Sequence, residues 1–469
     1  MEEFIIKFDK ESKIKLYEQV YERFKNDIES GKIEAGSKMP SLRKLAKVND
    51  ISITTVESAY NQLLLEGYIE SRPKSGYYVN SDISPIENIE LRDEINFDSN
   101  ELPKDDMLLF DEESFDFYKW KRSMNKVFNK YSRLLRSDAS PEGEQMLREE
   151  IASYLRNSRG LNSTPDNIVI AAGSMHLTNS LIRIFKKMGI RKASTEFPGY
   201  DKINRVFGCA DIELNKVGIS GDIEISEMGS ERQIVYINPS NRYPSGDVMP
   251  VSKRIELIKW ADETDSYIIE DDYDSELRYF GKPVPPMKMI GDGERVIYYG
   301  SFSATLFAGI NISYMVLPDK LMLEWKKSKD AYVQTCSKTE QLCLALYMRD
   351  GSYEKTIKKC RKIYSAKLKT TIKVFKENGN EIFTPVNSMS GMALTLRVKT
   401  SIPAEELALA AKRSGMLMEP VEELCTEDSK VICFYFYRVS ETMLKILIKQ
   451  YIHTIKRIME RGAADGQIK

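Results

Sequence analysis

Three apolar stripes at helical spacing occupy residues 16–67. The first repeats every four residues and runs into a glycine stop; its members are Leu16, Val20, Phe24 and Ile28, followed by Gly31. The second is short and follows the cap Pro40-Ser41; its members are Leu42, Leu45 and Val48. The third begins at the cap Ser52 and stops at Gly67; its members are Val56, Ala59, Tyr60, Leu63 and Leu64. Spacing, caps and stops predict three amphipathic helices with these residues facing inward.

A hairpin follows the third helix. Tyr68-Ile69 and Tyr77-Tyr78-Val79 are short apolar runs on either side of the turn sequence Pro73-Lys74-Ser75-Gly76. Three helices and a hairpin in this order predict a winged helix-turn-helix domain over residues 1–79. The segments LYEQV, ESGKIEAGSKMPSLRKLA, TTVESAYNQLLLEGYIE and SGYYV look like the DNA-binding domain of the GntR superfamily almost from end to end.

This resemblance implies a set of DNA contacts. The third helix would enter the major groove, the second would approach the backbone, and the hairpin tip would reach the minor groove. The residues expected at the DNA are Lys38, Arg43, Lys44, Ser52, Thr54, Thr55, Arg72, Lys74 and Gly76. Relatives usually begin the third helix with S-R-x-T, whereas this chain has Ile53 in place of the arginine. Because that arginine contacts a phosphate or a base, we expect a different operator or weaker binding.

The charge balance confines DNA binding to a local surface. The chain has 69 Lys+Arg, 70 Asp+Glu and a net charge of -1, which gives no general attraction to nucleic acid. Between positions 32 and 47, five basic residues face only Glu34; they are Lys32, Lys38, Arg43, Lys44 and Lys47. Phosphates bind at clusters of this kind, although a merely solvated basic face is the alternative.

Composition and cysteine spacing favour a soluble protein in a reducing compartment. Of the 469 residues, 42% are hydrophobic and 30% are charged, which is typical of globular domains. The six cysteines include no CxxC pair, which argues against a zinc ribbon or a disulfide framework. The N-terminus lacks the apolar segment of a secretion signal, and no apolar run approaches the roughly 18 residues of a membrane span. We therefore expect a cytoplasmic protein with no membrane association.

The remaining chain divides into a linker and a large domain. Residues 80–94 are polar and acidic with one proline and no helical stripe, which predicts a linker. Residues 95–469 resume globular patterning and resemble the aminotransferase-like domain of MocR/GabR-type regulators. The resemblance implies an α/β fold, that of the PLP-dependent transferases (aminotransferase fold type I). It has a mostly parallel sheet and a small C-terminal α/β subdomain, here at about 330–469.

The loop that holds the cofactor in that family is altered in this chain. Residues 298–318 predict a strand, a loop of small and hydroxyl residues, and a second strand. The family pattern is S-x-S-K-x-L-x-P-x-x-R, which Ser301, Ser303 and Leu306 match. However, the lysine slot holds Ala304, the proline slot Ala308 and the arginine slot Asn311. One change could be a laboratory substitution; three changes favour a natural lysine-less member.

These changes bear directly on cofactor chemistry. A PLP enzyme of this type needs a lysine amine to hold the cofactor aldehyde and to move the α-proton of the substrate, and a methyl group does neither. The family arginine binds the cofactor phosphate, and losing such a contact costs about 1.5–3 kcal/mol. We therefore expect no catalytic residue, and PLP bound at most non-covalently or not at all.

The resemblance implies further cofactor contacts. Gly173, Ser174 and Met175 open a helix after a buried strand, and free N–H groups there form an anion cradle that holds the phosphate in the family. Tyr200 matches a tyrosine that stacks on the pyridine ring. A strand-end carboxylate, here Asp271, pairs with the pyridine nitrogen. The remaining expected cofactor residues are Asn241 or Tyr243 at the cofactor oxygen, Tyr273 near it, and Ser301 and Ser303 in the altered loop.

Two neighbouring features leave alternatives open. Lys202 and Arg438 are candidates for the carboxylate of a ligand, although Arg438 is equally well explained as a surface arginine. Residues 270–276 contain five acids, which is compatible with a divalent metal site, but the spacing is not that of an EF-hand. We expect no metal.

Three functions follow from the sequence. The first is a sequence-specific transcriptional regulator, a homodimer that binds a double-stranded DNA operator and senses a small effector, such as an amino acid or a PLP adduct, without transaminase activity. The second is a PLP-dependent aminotransferase with a vestigial head, or an engineered lysine-to-alanine variant of a PLP-binding regulator. The third is a regulator whose large domain only dimerises and binds no ligand. Ala304 favours the first over the second.

Overall fold

The structure is a computed structural model of the chain. It describes residues 4–6, 8, 14–73, 75–81, 114–218, 223–279, 284–329, 332–386 and 390–466. The chain divides into two units, Met1–Leu102 and Pro103–Lys469. Most of the predicted linker, from residue 82 onward, lies outside the described residues. Among the described helices, none is both long and apolar enough to cross a membrane.

The N-terminal unit is a winged helix-turn-helix. Ser41 and Ser52 cap the second and third helices by accepting hydrogen bonds from the backbone N–H groups of Lys44 and Thr55, as the sequence predicted. The elements are α1 (Leu16–Glu29), α2 (Leu42–Asn49), α3 (Ile53–Leu65), β1 (Ile69–Arg72) and β2 (Gly76–Val79), with β1 and β2 antiparallel.

The predicted stripes form the core of this unit, with two exceptions. The inward placement of Leu16 was wrong: it is the first residue of α1, before the helix packs on the core, and is 41% exposed. Val20, Phe24 and Leu63 are buried together, and the buried Tyr60 hydroxyl donates a hydrogen bond to the Pro40 carbonyl at 2.9 Å. The inward placement of Val48 was wrong: its side chain is 42% exposed, while Ala46 is buried. An eight-residue helix buries only one narrow stripe, and α2 turns Leu45 and Ala46 into the core.

A seven-stranded sheet forms the centre of the large unit. Its strand order is β3-β9-β8-β7-β6-β4-β5, and β9 runs antiparallel to both of its neighbours while the other pairs are parallel. This confirms the mostly parallel sheet. The strands are β3 (Ile168–Ala171), β4 (Lys192–Glu196), β5 (Glu213–Val217), β6 (Ile234–Ile237), β7 (Tyr267–Asp271), β8 (Val296–Ser301) and β9 (Ser313–Val316).

Helices cover both faces of this sheet, and its central strands are therefore buried on both sides. One face packs Tyr298 and Phe302 with residues of α5 and α10, and the opposite face packs Tyr236 and Tyr299 with residues of α6. The helices are α4 (Phe117–Lys130), α5 (Gln145–Arg159), α6 (Ser174–Lys187), α7 (Asp201–Cys209), α8 (Val251–Glu263), α9 (Asp319–Ser328), α10 (Lys338–Arg349) and α11 (Ser352–Gly379).

The C-terminal part forms a second, smaller layer. A four-stranded antiparallel sheet of order β10-β11-β13-β12 packs against α11 and two later helices. Its elements are β10 (Phe383–Pro385), β11 (Leu394–Lys399), α12 (Ala404–Arg413), β12 (Met418–Pro420), β13 (Ser429–Phe434) and α13 (Glu441–Gly466). The boundary near residue 330 stays a prediction. In the structure, α10 packs with α4 and α5 in the core of the large layer. The residues of α11 belong to the core of the small layer only from Cys360 onward.

Gly300 is required by the tight pairing of β8 with β9. A methyl group at this position would lie 2.3 Å from Cζ of Tyr314, whose ring is buried. We predict that Gly300→Ala lowers the free energy of unfolding by about 1–3 kcal/mol through overpacking. The matched control is Gly208→Ala in α7, where the added methyl group has no neighbour within 4 Å. The control variant should be neutral or slightly stabilised in urea denaturation. Equal destabilisation of both variants would contradict the prediction.

Candidate functional site

The basic residues among the predicted DNA contacts lie at two places in the N-terminal unit, on α2 and at the hairpin. On α2, the side chains of Arg43, Lys44 and Lys47 are exposed. At the hairpin, Arg72 of β1 and Lys38 of the segment before α2 lie against the ring of Tyr78: the Lys38 ammonium is 5.6 Å and the Arg72 guanidinium 4.3 Å from the ring centroid. Cations held at the hairpin in this way can neutralise phosphates of a DNA backbone.

Tyr78 is a member of this surface that sequence reasoning missed. Its hydroxyl forms a hydrogen bond with the Ser75 hydroxyl at 2.7 Å. This bond, together with Lys38 and Arg72, lowers the pKa of Tyr78. Gly76 has a φ of +108°, and a methyl group there would lie 3.7 Å from the Lys38 side chain. Lys74 lies outside the described residues. The pairing of residue 38 with residue 78 depends on an isolated β-bridge that local periodicity does not reveal.

The first turn of α3 carries the predicted hydroxyl residues. Ser52 and Thr54 are exposed, and Thr55 is half-buried. The Ser52 hydroxyl forms 2.7 Å hydrogen bonds with the hydroxyls of both threonines. These residues therefore form one local network at the exposed start of the recognition helix.

In the large unit, Asp271 is the centre of the candidate effector cleft. It is the last residue of β7, its side chain is buried, and its carboxylate accepts a hydrogen bond from the hydroxyl of Tyr236 on the neighbouring β6. Burial raises the pKa of Asp271 to about 7, although the Tyr236 bond acts in the opposite direction. The group is therefore close to the ionisation midpoint near neutral pH.

Two of the predicted aromatic residues lie near Asp271. Tyr200 stands at the N-terminus of α7 with 45% of its surface exposed; burial of its hydroxyl and the charge of Asp271 raise its pKa. Tyr273 is 37% exposed, and the charge of Asp274, burial and the charge of Asp271 raise its pKa. The charge of Asp271 thus affects two tyrosines whose rings are partly exposed. Exposed aromatic rings can stack on a flat ligand.

Asn241 and Tyr243 have different surroundings. The Asn241 amide donates to Asp274 at 2.5 Å and accepts from the Ser390 hydroxyl at 2.9 Å. Tyr243 packs with Cys433 of β13, and burial raises its pKa. Asn241 therefore connects the acidic loop after β7 to the segment before β11, while Tyr243 lies under the small sheet. Which of them contacts a ligand oxygen stays a prediction.

The altered loop lies beside the predicted anion cradle. The Ser301 hydroxyl accepts hydrogen bonds from the Ser313 hydroxyl at 3.1 Å and from the Ser303 backbone N–H at 3.4 Å. Gly173, with a φ of +89°, precedes α6, and a methyl group there would lie 2.9 Å from Oδ1 of Asn311. Asn311 therefore occupies the arginine slot and places its amide directly at the start of the α6 cradle.

The residues fit a non-covalent cofactor but not a covalently attached one. Asp271 offers a carboxylate for a pyridine nitrogen, and Gly173, Ser174 and Met175 offer the helix N-terminus for a phosphate. When bound, PLP supplies an electron sink for carbanion chemistry. Ala304 is buried and has no amine to hold the cofactor.

The two ligand-carboxylate candidates lie in different settings. Lys202 is exposed on α7. Arg438 is half-buried, and its Nε donates to the Tyr437 hydroxyl at 2.9 Å. Neither placement tests the proposed role. Among the described residues, no group of three or more His, Cys, Asp or Glu side chains is arranged to hold a metal ion, including residues 270–276.

A buried ionic network that begins at the residue after Asp271 was missed by sequence reasoning. The side chains of Arg159 and Asp272 are almost fully buried and form an ion pair at 2.5 Å. The Tyr298 hydroxyl donates to the same Asp272 oxygen at 2.6 Å, and the Tyr154 hydroxyl donates to Glu276 at 2.9 Å. Burial, then the charge of Asp272, raise the pKa of Glu276 to about 7. Because successive residues of an extended chain point to opposite faces, Asp271 and Asp272 serve different layers.

We predict that Arg159→Met destabilises the large unit strongly. Removing one partner of a buried ion pair leaves the other charge without compensation, which costs about 3–5 kcal/mol in the free energy of unfolding. The matched control is Arg205→Met, because Arg205 forms its 2.9 Å pair with Asp201 at the exposed surface. Water screens that pair, so urea denaturation should show little change. A similar decrease in the free energy of unfolding of both variants would contradict a specific contribution of the buried ion pair.

We predict a pH-dependent stability difference between Asp271→Asn and the unaltered protein. Burial raises the pKa of Asp271 from its usual 3.8 to about 7. The folded state therefore holds a proton that the unfolded state has lost, and this contribution to stability is lost as pH rises through that interval. The asparagine variant has no such loss. Its stability relative to the unaltered protein should rise from pH 4 to pH 7 and level off above. Urea denaturation at several pH values measures this; a constant difference would contradict it.

Comparison with protein families matches both units. The family of bacterial regulatory proteins, gntR family, matches residues 16–79, and aminotransferase class I and II matches residues 92–448. Both parts of the resemblance expected from the sequence are thereby confirmed. The solved multiple substrate aminotransferase from Thermococcus profundus has a TM-score of 0.64 at 23% identity. The match covers 75% of this chain and 91% of that chain, and it shows the fold.

Full-length relatives combine the two units in one chain. The "Uncharacterized HTH-type transcriptional regulator YdeL" of Bacillus subtilis is 34% identical over 454 residues, which cover 93% of this chain and 96% of that protein. The "Probable rhizopine catabolism regulatory protein MocR" of Rhizobium meliloti is 27% identical over 436 residues, 88% of each chain. The chain therefore belongs to the aminotransferase class I and II family and, through its gntR-type domain, to the MocR-type HTH transcriptional regulators.

Proposed function

We propose that this regulator senses a small effector in its aminotransferase-like domain and does not catalyse transamination. One observation carries the proposal: Asp271 remains buried at the end of β7, while the lysine slot is the buried Ala304. A cleft that retains its ring-binding carboxylate but has no amine can bind a ligand, whereas covalent catalysis needs a nucleophile.

Lys288 is the amine that most resembles a substitute, and its position argues against that role. Burial lowers the pKa of Lys288 to about 8, as in reactive lysines. However, its ammonium donates to the carbonyls of Gly293 at 3.2 Å and Val296 at 2.7 Å. Val296 begins β8 and Ser301 ends it, so Lys288 lies at the opposite end of this strand from the altered loop, roughly 16 Å away at about 3.3 Å per residue.

The effector would bind without a covalent anchor. Candidates are free PLP, a preformed adduct of PLP with an amino acid, or an unrelated flat molecule. The α6 N-terminus offers backbone hydrogen-bond donors to an anion, and Asp271 offers an acceptor to a ring nitrogen. A homodimer matches a twofold operator, and a ligand that prefers one dimer geometry would shift DNA binding. Six free cysteines and a DNA target fit the reducing cytoplasm.

Footprinting and thermal unfolding test this proposal together. On the DNA upstream of its own gene, we expect a protected, salt-sensitive site at low salt. With PLP, pyridoxamine phosphate and amino acids as probes, we expect at least one to raise the Tm, because a ligand that binds only the folded state stabilises it. Absence of any protected site at low salt would contradict regulation through DNA. If a site is protected but none of the probes raises the Tm, the result would instead favour a regulator whose large domain only dimerises.

We predict that Ala304→Lys restores covalent capture of PLP. The added amine stands where the family lysine holds the cofactor aldehyde, so borohydride should fix a pyridoxyl label onto the variant chain. The unaltered protein should remain unlabelled at stoichiometric PLP. Ser303→Lys is the matched control, because it adds the same amine one residue away. Mass spectrometry locates the label; stoichiometric labelling of one lysine in the unaltered protein would show that another amine holds the cofactor.

A further inference from the structure

The recognition helix α3 carries no positive charge. Its sequence, ITTVESAYNQLLL, contains neither Lys nor Arg, and Glu57 is its one charged residue. The bidentate contact of arginine or lysine with guanine, the commonest specific contact in the major groove, is therefore absent from this helix. Any base reading by α3 must use apolar, amide, hydroxyl or carboxylate groups.

The exposed side chains of α3 form a continuous row. Ile53 is 46% exposed, Glu57 and Asn61 are exposed, and these three residues follow each other at four-residue spacing. Side chains four residues apart are neighbours on a helix surface. The buried stripe of the helix packs in the core of the unit and consists of Val56, Ala59, Tyr60 and Leu63. The row therefore lies outside the core, beside the buried stripe, over the first nine residues of the helix.

The hydroxyl groups near this row already have partners. The Ser52 hydroxyl binds those of Thr54 and Thr55 at 2.7 Å, and the Ser58 hydroxyl donates to the Thr54 carbonyl at 2.9 Å. Ile53 therefore presents an exposed aliphatic group in the first turn, the part of a recognition helix that contacts base edges.

The cations needed for backbone binding lie on other elements. Arg43, Lys44 and Lys47 are exposed on α2, and Lys38 and Arg72 lie against the ring of Tyr78 at the hairpin. These groups can neutralise phosphates without contribution from α3. Binding to the DNA phosphates and contact with the bases thus use different elements of the domain. The exposed side chains of α3 are available to discriminate bases.

We propose that Ile53 reads the 5-methyl group of a thymine and that Glu57 accepts a hydrogen bond from the N4 amino group of a cytosine in the same half-site. Aliphatic groups contact the thymine methyl group, and carboxylates accept from cytosine N4 while avoiding the acceptors N7 and O6 of guanine. The two residues are separated by a rise of about 6 Å along the helix, which corresponds to roughly two base-pair steps of 3.4 Å. This inference rests on the proposed function as a DNA-binding regulator.

Replacement of thymine by deoxyuracil tests the proposal directly. The full chain is used to select an operator from random duplex DNA, and each thymine of that operator is then replaced singly by deoxyuracil. For one thymine in each half-site, we expect loss of the methyl group to weaken binding about fourfold, the value of one buried methylene-sized group. Ile53→Ala should bind more weakly and should show no further loss on the deoxyuracil operator. Ile53→Arg should select guanine at this position, with a steeper salt dependence.

Leu65→Ala is the matched control. Leu65 is an 80% exposed aliphatic residue at the far end of the same helix, so this variant should keep the full sensitivity to deoxyuracil. Glu57→Gln should move the preference at the second position from cytosine toward adenine, because a carboxamide pairs with adenine N6 and N7. The Tm of each variant should equal that of the unaltered protein, since the altered side chains are exposed.

The outcomes separate this proposal from the function on which it rests. An operator that binds equally well with deoxyuracil at every thymine would overturn the reading by Ile53 and leave DNA regulation intact. If Ile53→Ala still binds the deoxyuracil operator more weakly than the thymine operator, the reading by Ile53 is likewise overturned. Failure to enrich any sequence would overturn both.

Discussion

The carboxyl end of β7 is the constraint on which the large unit depends. Burying a carboxylate is costly unless it is paired or hydrogen-bonded, and here Asp271, Asp272 and Asp274 are buried within four residues. Each has its own partner: the Tyr236 hydroxyl, the Arg159 guanidinium and the Asn241 amide. The three bonds fasten this end of the sheet to β6, to α5 and to the loop that follows β6.

The three acids differ in what they contribute. Asp272 lies in an ion pair that stabilises one layer, and Asp274 connects the loop to Asn241. Asp271 has a raised pKa, and the partly exposed rings of Tyr200 and Tyr273 lie near it. A hydrophobic residue would fill that position at lower energetic cost, so retention of the carboxylate favours a ligand-binding role. In the proposed function, Ala304 and Asn311 stand where the family resemblance leads us to expect the covalent and ionic anchors of the cofactor.

Much of this architecture follows from local patterns. The three helices, the caps Ser41 and Ser52, and the hairpin all depend on residues close in sequence, and the structure confirms them. Val48 was misplaced because a three-residue stripe on a short helix does not fix the angle of that helix to the core. The Arg159–Asp272 pair joins residues 113 positions apart, and the Lys38–Tyr78 contact depends on an isolated bridge. Tertiary structure alone sets such contacts. The opposite facing of Asp271 and Asp272, in contrast, follows from strand alternation and was available from the sequence.

Multiple-turnover transamination is the measurement that addresses the chemistry of the cleft most directly. The purified full chain would be incubated with excess PLP, an amino donor and a keto acid, and the new amino acid quantified per mole of protein. Because the lysine slot is Ala304, we predict no product above the rate of PLP alone in solution. Formation of many moles of product per mole of chain would contradict a sensing role without catalysis.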